Sequence, residues 1–407
     1  TSTTTTTKNR PNIQMPSDSG LLSSEIVVSA VMPCLNEAPT LPLCIAKIKQ
    51  AFAENGIAGE VVVADNGSTD GSREIAADLG ARVVLERRQG YGSALLAGIS
   101  QCKGRIIVMA DADDSYDWST LGDFVSKIDE GYDLVMGNRF LGGIEPDAMP
   151  PLHRYLGNPV LSAIARRLYK IPIGDFHCGM RAFTRLAADR MVLRTPGMEF
   201  ATEMVVSAAQ AGLRIAETPT RLYPDKRNRP PHLRSFRDGW RHLRFMITYA
   251  PDALYLIPGL IMLGVGIVGM ALLSGGPTNV AGFHQGIHFL ALSCLLTLLG
   301  ANVVGFGIFA KVLNASRCTI PPYSVVGRLL SLFSLERGLL VGLTLTGGGV
   351  AVNGAILAEW LARGRGDMPE TVHLAFVATT VLVLGVNLMF GSFLLYLLRD
   401  GDGQRDS

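Results

Sequence analysis

No CxxC pair occurs among the six cysteines (Cys34, Cys44, Cys102, Cys178, Cys294 and Cys318), and their spacing is irregular. A zinc ribbon and a disulfide framework are therefore disfavoured, and a reducing cytosolic setting suits the first half of the chain. No Gly-x-Gly-x-x-Gly follows the first strand-like run and no Gly-x-x-x-x-Gly-Lys-Ser/Thr appears, which removes dinucleotide and P-loop chemistry. The net charge is only +2 at pH 7, so nothing in the total points to nucleic acid. Charge is also missing locally: Asp, Glu, Lys and Arg are frequent up to about Arg244 and scarce after Asp252. That shift splits the chain into a soluble half and a membrane half. Thr1 to Ser24 lacks an apolar core and is rich in Thr, Ser and Pro, so residues 1–24 read as a disordered tail rather than a secretory signal.

The soluble half alternates apolar runs with helical stretches. Glu25–Val31, Glu60–Ala64, Ala81–Glu86 and Ile106–Ala110 read as strands, and helices are expected after each of the first three. Tyr132–Gly137 and Arg214–Pro219 read as further strands, and about 158–169 and 199–211 as helices. Such alternation predicts an α/β domain over residues 25–220, built on a mostly parallel sheet flanked by helices. Ligands of such sheets bind outside the carboxyl ends of the strands. That rule gathers Pro33, Asn36 and Glu37, then Asp65, Asn66 and Gly67, then Arg88 and Gly90, then Asp111 and Asp113, along one crevice.

The acidic stretch Asp111-Ala112-Asp113-Asp114-Ser115-Tyr116-Asp117 is the centre of this set. Like charges so close repel unless a cation or several donors offset them. Mg²⁺ takes oxygen ligands, commonly one or two carboxylates plus substrate phosphates; the competing reading is a solvated strand-to-helix turn. The glycines near Gly90 and the helix start behind them suit a diphosphate. Further on, His177-Cys178 lacks the second ligand pair of a zinc site. Arg181 has the guanidinium to clamp a phosphate, or it pairs structurally with Asp175. Glu199 and Glu203 share one helix face as substrate ligands or as solvated carboxylates.

Residues 221–250 form a basic elbow. Arg221 to Arg244 is dense in Lys and Arg and ends in an amphipathic helix, with Phe236, Trp240, Leu243 and Ile247 on one side and Arg234, Arg237, Arg241 and Arg244 beside them. Such a helix lies in a membrane interface, and Arg227 and Arg229 before it reach lipid headgroups or a phosphorylated substrate. Four apolar segments follow at about 253–274, 287–313, 338–361 and 372–398, within a membrane region of residues 251–398 and before a tail of 399–407. Each exceeds the roughly 20 residues that cross a bilayer. Lys311, Arg317, Arg328 and Arg337 around the second loop place it, both termini and the soluble domain on the cytoplasmic side of the cell membrane. Asn302 and Asn353 within the spans are expected at helix–helix contacts.

From Ile26 to Ile247 these residues resemble the membrane-associated family 2 glycosyltransferases of GT-A fold, in particular polyprenyl-phosphate glycosyltransferases similar to dolichyl-phosphate mannose synthase. The resemblance rests on Pro33-x-x-Asn36-Glu37, Asp65-Asn66-Gly67-Ser68-Thr69-Asp70-Gly71-Ser72, Asp111-Ala112-Asp113, Gly137-x-Arg139-Phe140 and Cys178-Gly179-Met180-Arg181-Ala182-Phe183. It implies that Pro33, Glu37 and Asp65 hold the nucleoside and that Asp111 and Asp113 form the Asp-x-Asp motif for Mg²⁺ or Mn²⁺. Arg139 and Arg181 would hold the acceptor phosphate or the leaving diphosphate, with Asp175 near the reaction centre and Arg227, Arg229 and Arg234 at the lipid headgroup. Two departures stand out: Ser115 where the family has glutamine, so that Asp114 or Asp117 would have to complete the metal shell, and Cys178 where it has serine.

The implied reaction is inverting transfer of a sugar from a nucleotide diphosphate sugar to a polyprenyl phosphate, with UDP-glucose preferred and GDP-mannose next. A homo-oligomer is compatible with this reading. The alternatives are a processive polysaccharide synthase, whose Gln-x-x-Arg-Trp motif is lacking here, and a non-catalytic nucleotide-sugar-binding membrane protein.

Overall fold

The computed structural model describes residues 26–226, 235–280, 282–315 and 334–403. The expected alternation is present. Strands β1 (Val28–Cys34), β2 (Gly59–Asp65), β3 (Arg82–Leu85) and β4 (Ile106–Met109) are separated by helices α1 (Leu41–Glu54), α2 (Ser72–Asp78) and α3 (Tyr91–Gln101). After β4 come α4 (Leu121–Asp129), β5 (Leu134–Asn138), the single turn α5 (Arg139–Gly142) and α6 (Asn158–Tyr169). The domain closes with β6 (Arg181–Thr184), α7 (Arg185–Arg190), α8 (Phe200–Gln210) and β7 (Ile215–Pro219).

The seven strands run in the order β3-β2-β1-β4-β6-β5-β7. All neighbours pair in parallel except β6, which lies antiparallel between β4 and β5. Alternate residues of each strand feed opposite faces. Val28, Ala30 and Met32 pack with Ile45, Ile48, Leu121 and Phe124 on one face. Val31, Ile107 and Met109 pack with Leu95, Ile99, Phe200 and Met204 on the other. Burial on both faces explains why the strands read as unbroken apolar runs.

Helix α9 (Ser235–Thr248) packs on α6 and α8 through Met246, which is fully buried, with Phe245 and Tyr249 beside it. Tyr169 donates its hydroxyl to the Met246 carbonyl at 2.7 Å. The expected apolar side of the helix is thus not the side that meets the domain: Trp240 stays 59% exposed, and Arg237 and Arg244 are exposed as well. A helix seated on the protein by one face and showing a tryptophan and arginines on another suits a membrane interface. Arg227, Arg229 and Arg234 lie outside the described residues.

Among the described residues, four helices are long and apolar enough to span a membrane, at Asp252–Leu273, Ile287–Asn314, Leu335–Ala362 and Pro369–Leu398. Their regular parts are α10 (Ile257–Leu273), α11 (Ile287–Ala315), α12 (Leu335–Ala362) and α13 (Val372–Gly403), and a short hairpin of β8 (Thr278–Val280) and β9 (Phe283–Gln285) joins the first two. They pack as two pairs, α10 with α11 and α12 with α13, joined through α11 and α13. Glycines set the close approach: a Cβ on Gly266 would meet Thr297, and one on Gly385 would meet Thr346. Asn387 donates to Asn302 at 3.3 Å, and Thr379 to Asn353 at 3.4 Å, which are the helix–helix contacts expected of polar residues within spans.

Candidate active site

The carboxyl ends of β1, β2, β4 and β5 open on one edge of the sheet, and the sequence-predicted residues gather there. Asp65, at the end of β2, is 1% exposed and accepts from the main-chain N–H groups of Gly67 at 3.0 Å and Ser68 at 3.2 Å. Asn36, held in the left-handed region at φ 59°, accepts from Thr69 N at 2.8 Å. The Glu37 main-chain N–H donates to Ser72 Oγ, and Asp70 accepts from Ala38 N. Burial acts to raise the Asp70 pKa, but hydrogen bonds from Ser72 and Ala38 outweigh it and hold the carboxyl below its ordinary value. The turns after β1 and β2 therefore lock each other.

Asn66 shapes the loop after β3. Its Oδ1 accepts from Gly90 N at 2.7 Å and its Nδ2 donates to the carbonyls of Glu86 and Arg88. Gly90 and the helix start behind it do not form the open anion seat expected from the sequence. Gly92 N and Ser93 N both donate to the Pro196 carbonyl, so these α3 N–H groups are already satisfied. Gly90, at φ 139°, would place a Cβ 2.2 Å from Pro196 O; glycine is needed here for close packing. Glu203 holds the other side of that contact, accepting from Arg194 N, Thr195 N and Thr195 Oγ1. Arg88 remains at the crevice rim, its side chain 79% exposed and 3.5 Å from Glu86.

The acidic stretch divides its carboxylates among different tasks. Asp113 is 7% exposed, and its Oδ1 accepts from Ser115 N at 3.1 Å and Ser115 Oγ at 2.5 Å. Ser115 therefore orients the Asp113 carboxylate. Asp114, at φ 61°, turns its fully buried side chain between Lys47 at 2.6 Å and Lys226 at 2.7 Å. Asp117 caps the next turn by accepting from Ser119 N. Asp114 is thus taken up by two lysines and Asp117 by a helix cap. Thr40 ties the stretch to α1, its hydroxyl donating to the Ala112 carbonyl at 2.7 Å.

Asp111 faces the loop before β6. A Cβ on Gly179 would lie 2.8 Å from both Asp111 Oδ2 and the Tyr116 hydroxyl oxygen, and Gly179 N donates to that tyrosine oxygen at 2.8 Å. Burial first, and then the nearby Asp111 carboxylate, hold the Tyr91 hydroxyl well above its ordinary pKa. Two carboxylates two residues apart at one strand end suit an oxygen-loving divalent cation whose remaining ligands come from a diphosphate and water; no group of three or more His, Cys, Asp or Glu is found among the described residues. Asp111 and Asp113 would hold it. Gly179→Ala is expected to push the Asp111 carboxylate aside and weaken metal-dependent nucleotide binding at least about tenfold, measured by calorimetry with UDP and Mn²⁺; unchanged affinity would remove Asp111 from the site.

Arg139 and Asp175 form a buried pair. Arg139 Nε meets Asp175 Oδ2 at 2.6 Å and Nη2 meets Oδ1 at 2.8 Å, with the Arg139 main-chain N–H donating to Oδ2 at 3.1 Å. Burial acts to raise the Asp175 pKa, and the Arg139 guanidinium outweighs it, holding the carboxyl below the usual range. The contact uses two of the five guanidinium N–H donors.

Arg181 differs from expectation. It does not pair with Asp175, and it is fully buried, donating to the carbonyls of Cys178, Ala201 and Phe176. In that position it ties the start of β6 to α8 and offers no open face to a phosphate. Arg181→Met is expected to destabilise the fold by about 3 kcal/mol, because buried carbonyls lose their donors. Thermal unfolding measures this, and an unchanged midpoint would contradict the structural role. Cys178 is fully buried and burial pushes its thiol up to about 12, so it is no nucleophile.

The sequence reading weighed His177 only as half of a zinc pair and passed over His242. Their rings meet edge to face with centroids 4.9 Å apart, and His242 Nδ1 is 2.8 Å from Thr202 Oγ1. Only the placement of α9 on α8 brings them together.

An acidic edge at the carboxyl ends of a mostly parallel sheet is a place where a phosphorylated ligand and its cation would be held. The comparisons make that reading specific. Residues 29–191 match the family model described as glycosyl transferase family 2, and residues 308–399 match its C-terminal transmembrane region. The low-salt glycan biosynthesis hexosyltransferase Agl6 of Haloferax volcanii is 39% identical over 90% of this chain and 88% of its own length. A dolichyl-phosphate hexose transferase from the same organism is 35% identical over 47% of this chain and 81% of its own. An undecaprenyl-phosphate 4-deoxy-4-formamido-L-arabinose transferase of Pseudomonas savastanoi is 25% identical over 70% and 85%. A glucosyl-3-phosphoglycerate synthase structure from Mycobacterium tuberculosis, with Mn²⁺ and UDP, is similar at 23% identity with a TM-score of 0.42, covering 55% of this chain and 78% of that one. The chain belongs to glycosyltransferase family 2. It is a membrane glycosyltransferase with a GT-A-like domain followed by four candidate transmembrane helices.

Proposed function

We propose that this glycosyltransferase moves one sugar from a nucleoside diphosphate sugar to the phosphate of a polyprenyl lipid, with inversion, at the cytosolic face of the membrane. UDP-glucose is the preferred donor and GDP-mannose the next. One observation carries the lipid assignment. The segment after β7 runs over the acidic stretch, Tyr223 N donating to the Ser115 carbonyl at 2.9 Å and Lys226 pairing with Asp114 at 2.7 Å, and leads into the interfacial elbow. The donor-side carboxylates and the membrane-facing helix are thus joined by about ten residues. The names of the dolichyl-phosphate and undecaprenyl-phosphate relatives point the same way.

In this reading Pro33, Glu37 and Asp65 line the nucleoside end of the crevice, with Asn36, Asn66 and Gly67 shaping its turns. Asp111 and Asp113 stand at the diphosphate, where a bound Mg²⁺ or Mn²⁺ supplies charge neutralisation for the departing nucleotide. Arg139, kept in place by Asp175, turns its remaining N–H donors to the acceptor phosphate. A phosphate oxygen attacks the anomeric carbon as the bond to the nucleoside diphosphate breaks. The nucleophile is already anionic at neutral pH, so no side chain has to remove a proton. Carboxylates that a sugar-hydroxyl acceptor would need are engaged otherwise: Glu203 accepts three hydrogen bonds, and Asp175 is paired. That disfavours a processive polysaccharide synthase. Lys311 pairs with Asp252 where α11 ends beside the start of the first span, in keeping with a cytosolic end there.

The test incubates the full chain, in lipid nanodiscs, with labelled UDP-glucose, UDP-N-acetylglucosamine or GDP-mannose, polyprenyl phosphate and Mn²⁺. Label in an organic-extractable, mild-acid-labile product is expected. Label in a water-soluble polymer would overturn the proposal.

A further inference from the structure

Among the described residues, His177 is a buried polar group of the catalytic domain that the reaction above leaves without a task. Both of its ring nitrogens are buried, and neither has a hydrogen-bond partner among the described residues. A neutral imidazole carries one N–H donor and one acceptor nitrogen, and leaving such groups buried and unpaired is unfavourable. The residue as a whole keeps partial exposure, although both nitrogens are covered.

The surroundings select the charge of a ligand to this ring. Burial lowers the His177 pKa to about 3, His242, Arg139 and Arg181 push the same way, and Asp175 opposes them. The ring is therefore neutral, and the charged groups around it are the Asp175 carboxylate and the guanidinium groups of Arg139 and Arg181. The one carboxylate nearby is already bound by Arg139 through two hydrogen bonds. An imidazole N–H beside guanidinium groups suits an acceptor oxygen of an anion. The location agrees. His177 lies two residues past Asp175, and its ring is packed against His242 of α9, the helix that shows Trp240 and Arg244 on its exposed side. His242 is itself anchored to α8 through Thr202.

We propose that His177 is a second phosphate-contacting residue on the acceptor side of the site, its imidazole N–H donating to an oxygen of the lipid phosphate that Arg139 also holds, and that His242 is the positioning residue that orients the ring. The proposal rests on the polyprenyl-phosphate reading and adds a contact that the Asp111–Asp113 and Arg139–Asp175 groups do not supply. Seating of α9 against the domain then orients an acceptor ligand, so the membrane-facing helix shapes the acceptor subsite without touching the donor.

The experiment uses the full chain in phosphatidylcholine nanodiscs, with farnesyl phosphate as the acceptor probe and farnesol as its phosphate-free control. His177→Phe is expected to weaken farnesyl phosphate binding at least tenfold by calorimetry. UDP binding with Mn²⁺ should stay within twofold, and farnesol binding should not change. His177→Asn, which restores an N–H donor, is expected to recover most of the loss. His242→Phe should raise the acceptor KM by a smaller factor than His177→Phe, with little change in kcat. Unchanged farnesyl phosphate affinity in His177→Phe would overturn the proposal, as would equal losses of UDP and farnesyl phosphate. If His177→Phe does not fold, His177→Leu decides by the same readouts: a selective tenfold loss of farnesyl phosphate affinity with UDP binding intact supports the contact, and unchanged affinity overturns it. A wild-type protein that binds farnesyl phosphate yet never glycosylates it would sink the polyprenyl-phosphate reading while leaving the phosphate contact standing. One that does not bind farnesyl phosphate would sink both.

Discussion

Asp113→Ala is expected to abolish sugar transfer, lowering kcat at least about 10³-fold, the scale of losing a preorganised charge-stabilising group. Asp113 stands at the point where β4 ends, 7% exposed, with one oxygen fixed by the Ser115 amide and hydroxyl. Its orientation is set before any ligand arrives. Because no third His, Cys, Asp or Glu joins Asp111 and Asp113 among the described residues, the pair has little redundancy. The fold should survive, since Ser115 and Ala112 keep their other anchors at Tyr223 and Thr40. Transfer assayed with excess Mn²⁺, alongside a thermal unfolding curve, measures both halves of this expectation. Near-normal turnover in a folded variant would remove the metal assignment.

The second large effect is expected at Asp175. Asp175→Ala leaves the Arg139 guanidinium buried and uncompensated, which typically costs about 3–5 kcal/mol. Transfer should fall with it, because the remaining donors of Arg139 lose their orientation. UDP binding in the folded fraction should change little, since Asp65, Asp111 and Asp113 stand on other strands. The pair also predicts a pH window. Arg139 holds the Asp175 carboxyl below the ordinary value of about 3.9, so its stabilisation is complete above that value and is lost only as pH falls through the lowered one. Stability from this pair should therefore be flat between neutrality and about pH 5. A wild-type unfolding midpoint that drops across that range in a manner abolished by Asp175→Ala would contradict the assignment.

Much of the fold was legible because apolar runs and helical stretches alternate with clear period. The strand β6 was not. Its four residues Arg181–Thr184 sit inside a motif that reads as chemistry, and an antiparallel strand inserted between β4 and β5 leaves no mark on its own composition. The membrane helices were legible from length and the absence of charge. Which face of α9 meets the domain was not, because Trp240 and Met246 are both apolar and only tertiary packing separates them.

The site was legible as a set of positions and less so as a set of contacts. Turn residues after β1, β2 and β4 fell on one edge because parallel strands align their carboxyl ends. Arg181 looked like a phosphate clamp because guanidinium groups commonly serve that way; its burial against three carbonyls depends on β6 and α8 meeting. Gly90 and Gly92 looked like an anion cradle, yet their missing Cβ atoms make room for the carbonyls of Thr195 and Pro196. Asp114 was a candidate to complete the metal shell, and the left-handed backbone there sends its carboxylate to two lysines. Ser115, which looked like a weakened metal position, orients Asp113.

The most direct measurement is the mass of the lipid product formed by the full chain in nanodiscs from polyprenyl phosphate and a single nucleotide sugar. The account predicts one new species, heavier than the acceptor by one sugar residue, and no product when the phosphate-free alcohol replaces the acceptor. A ladder of added sugars, or equal transfer to the alcohol, would contradict it.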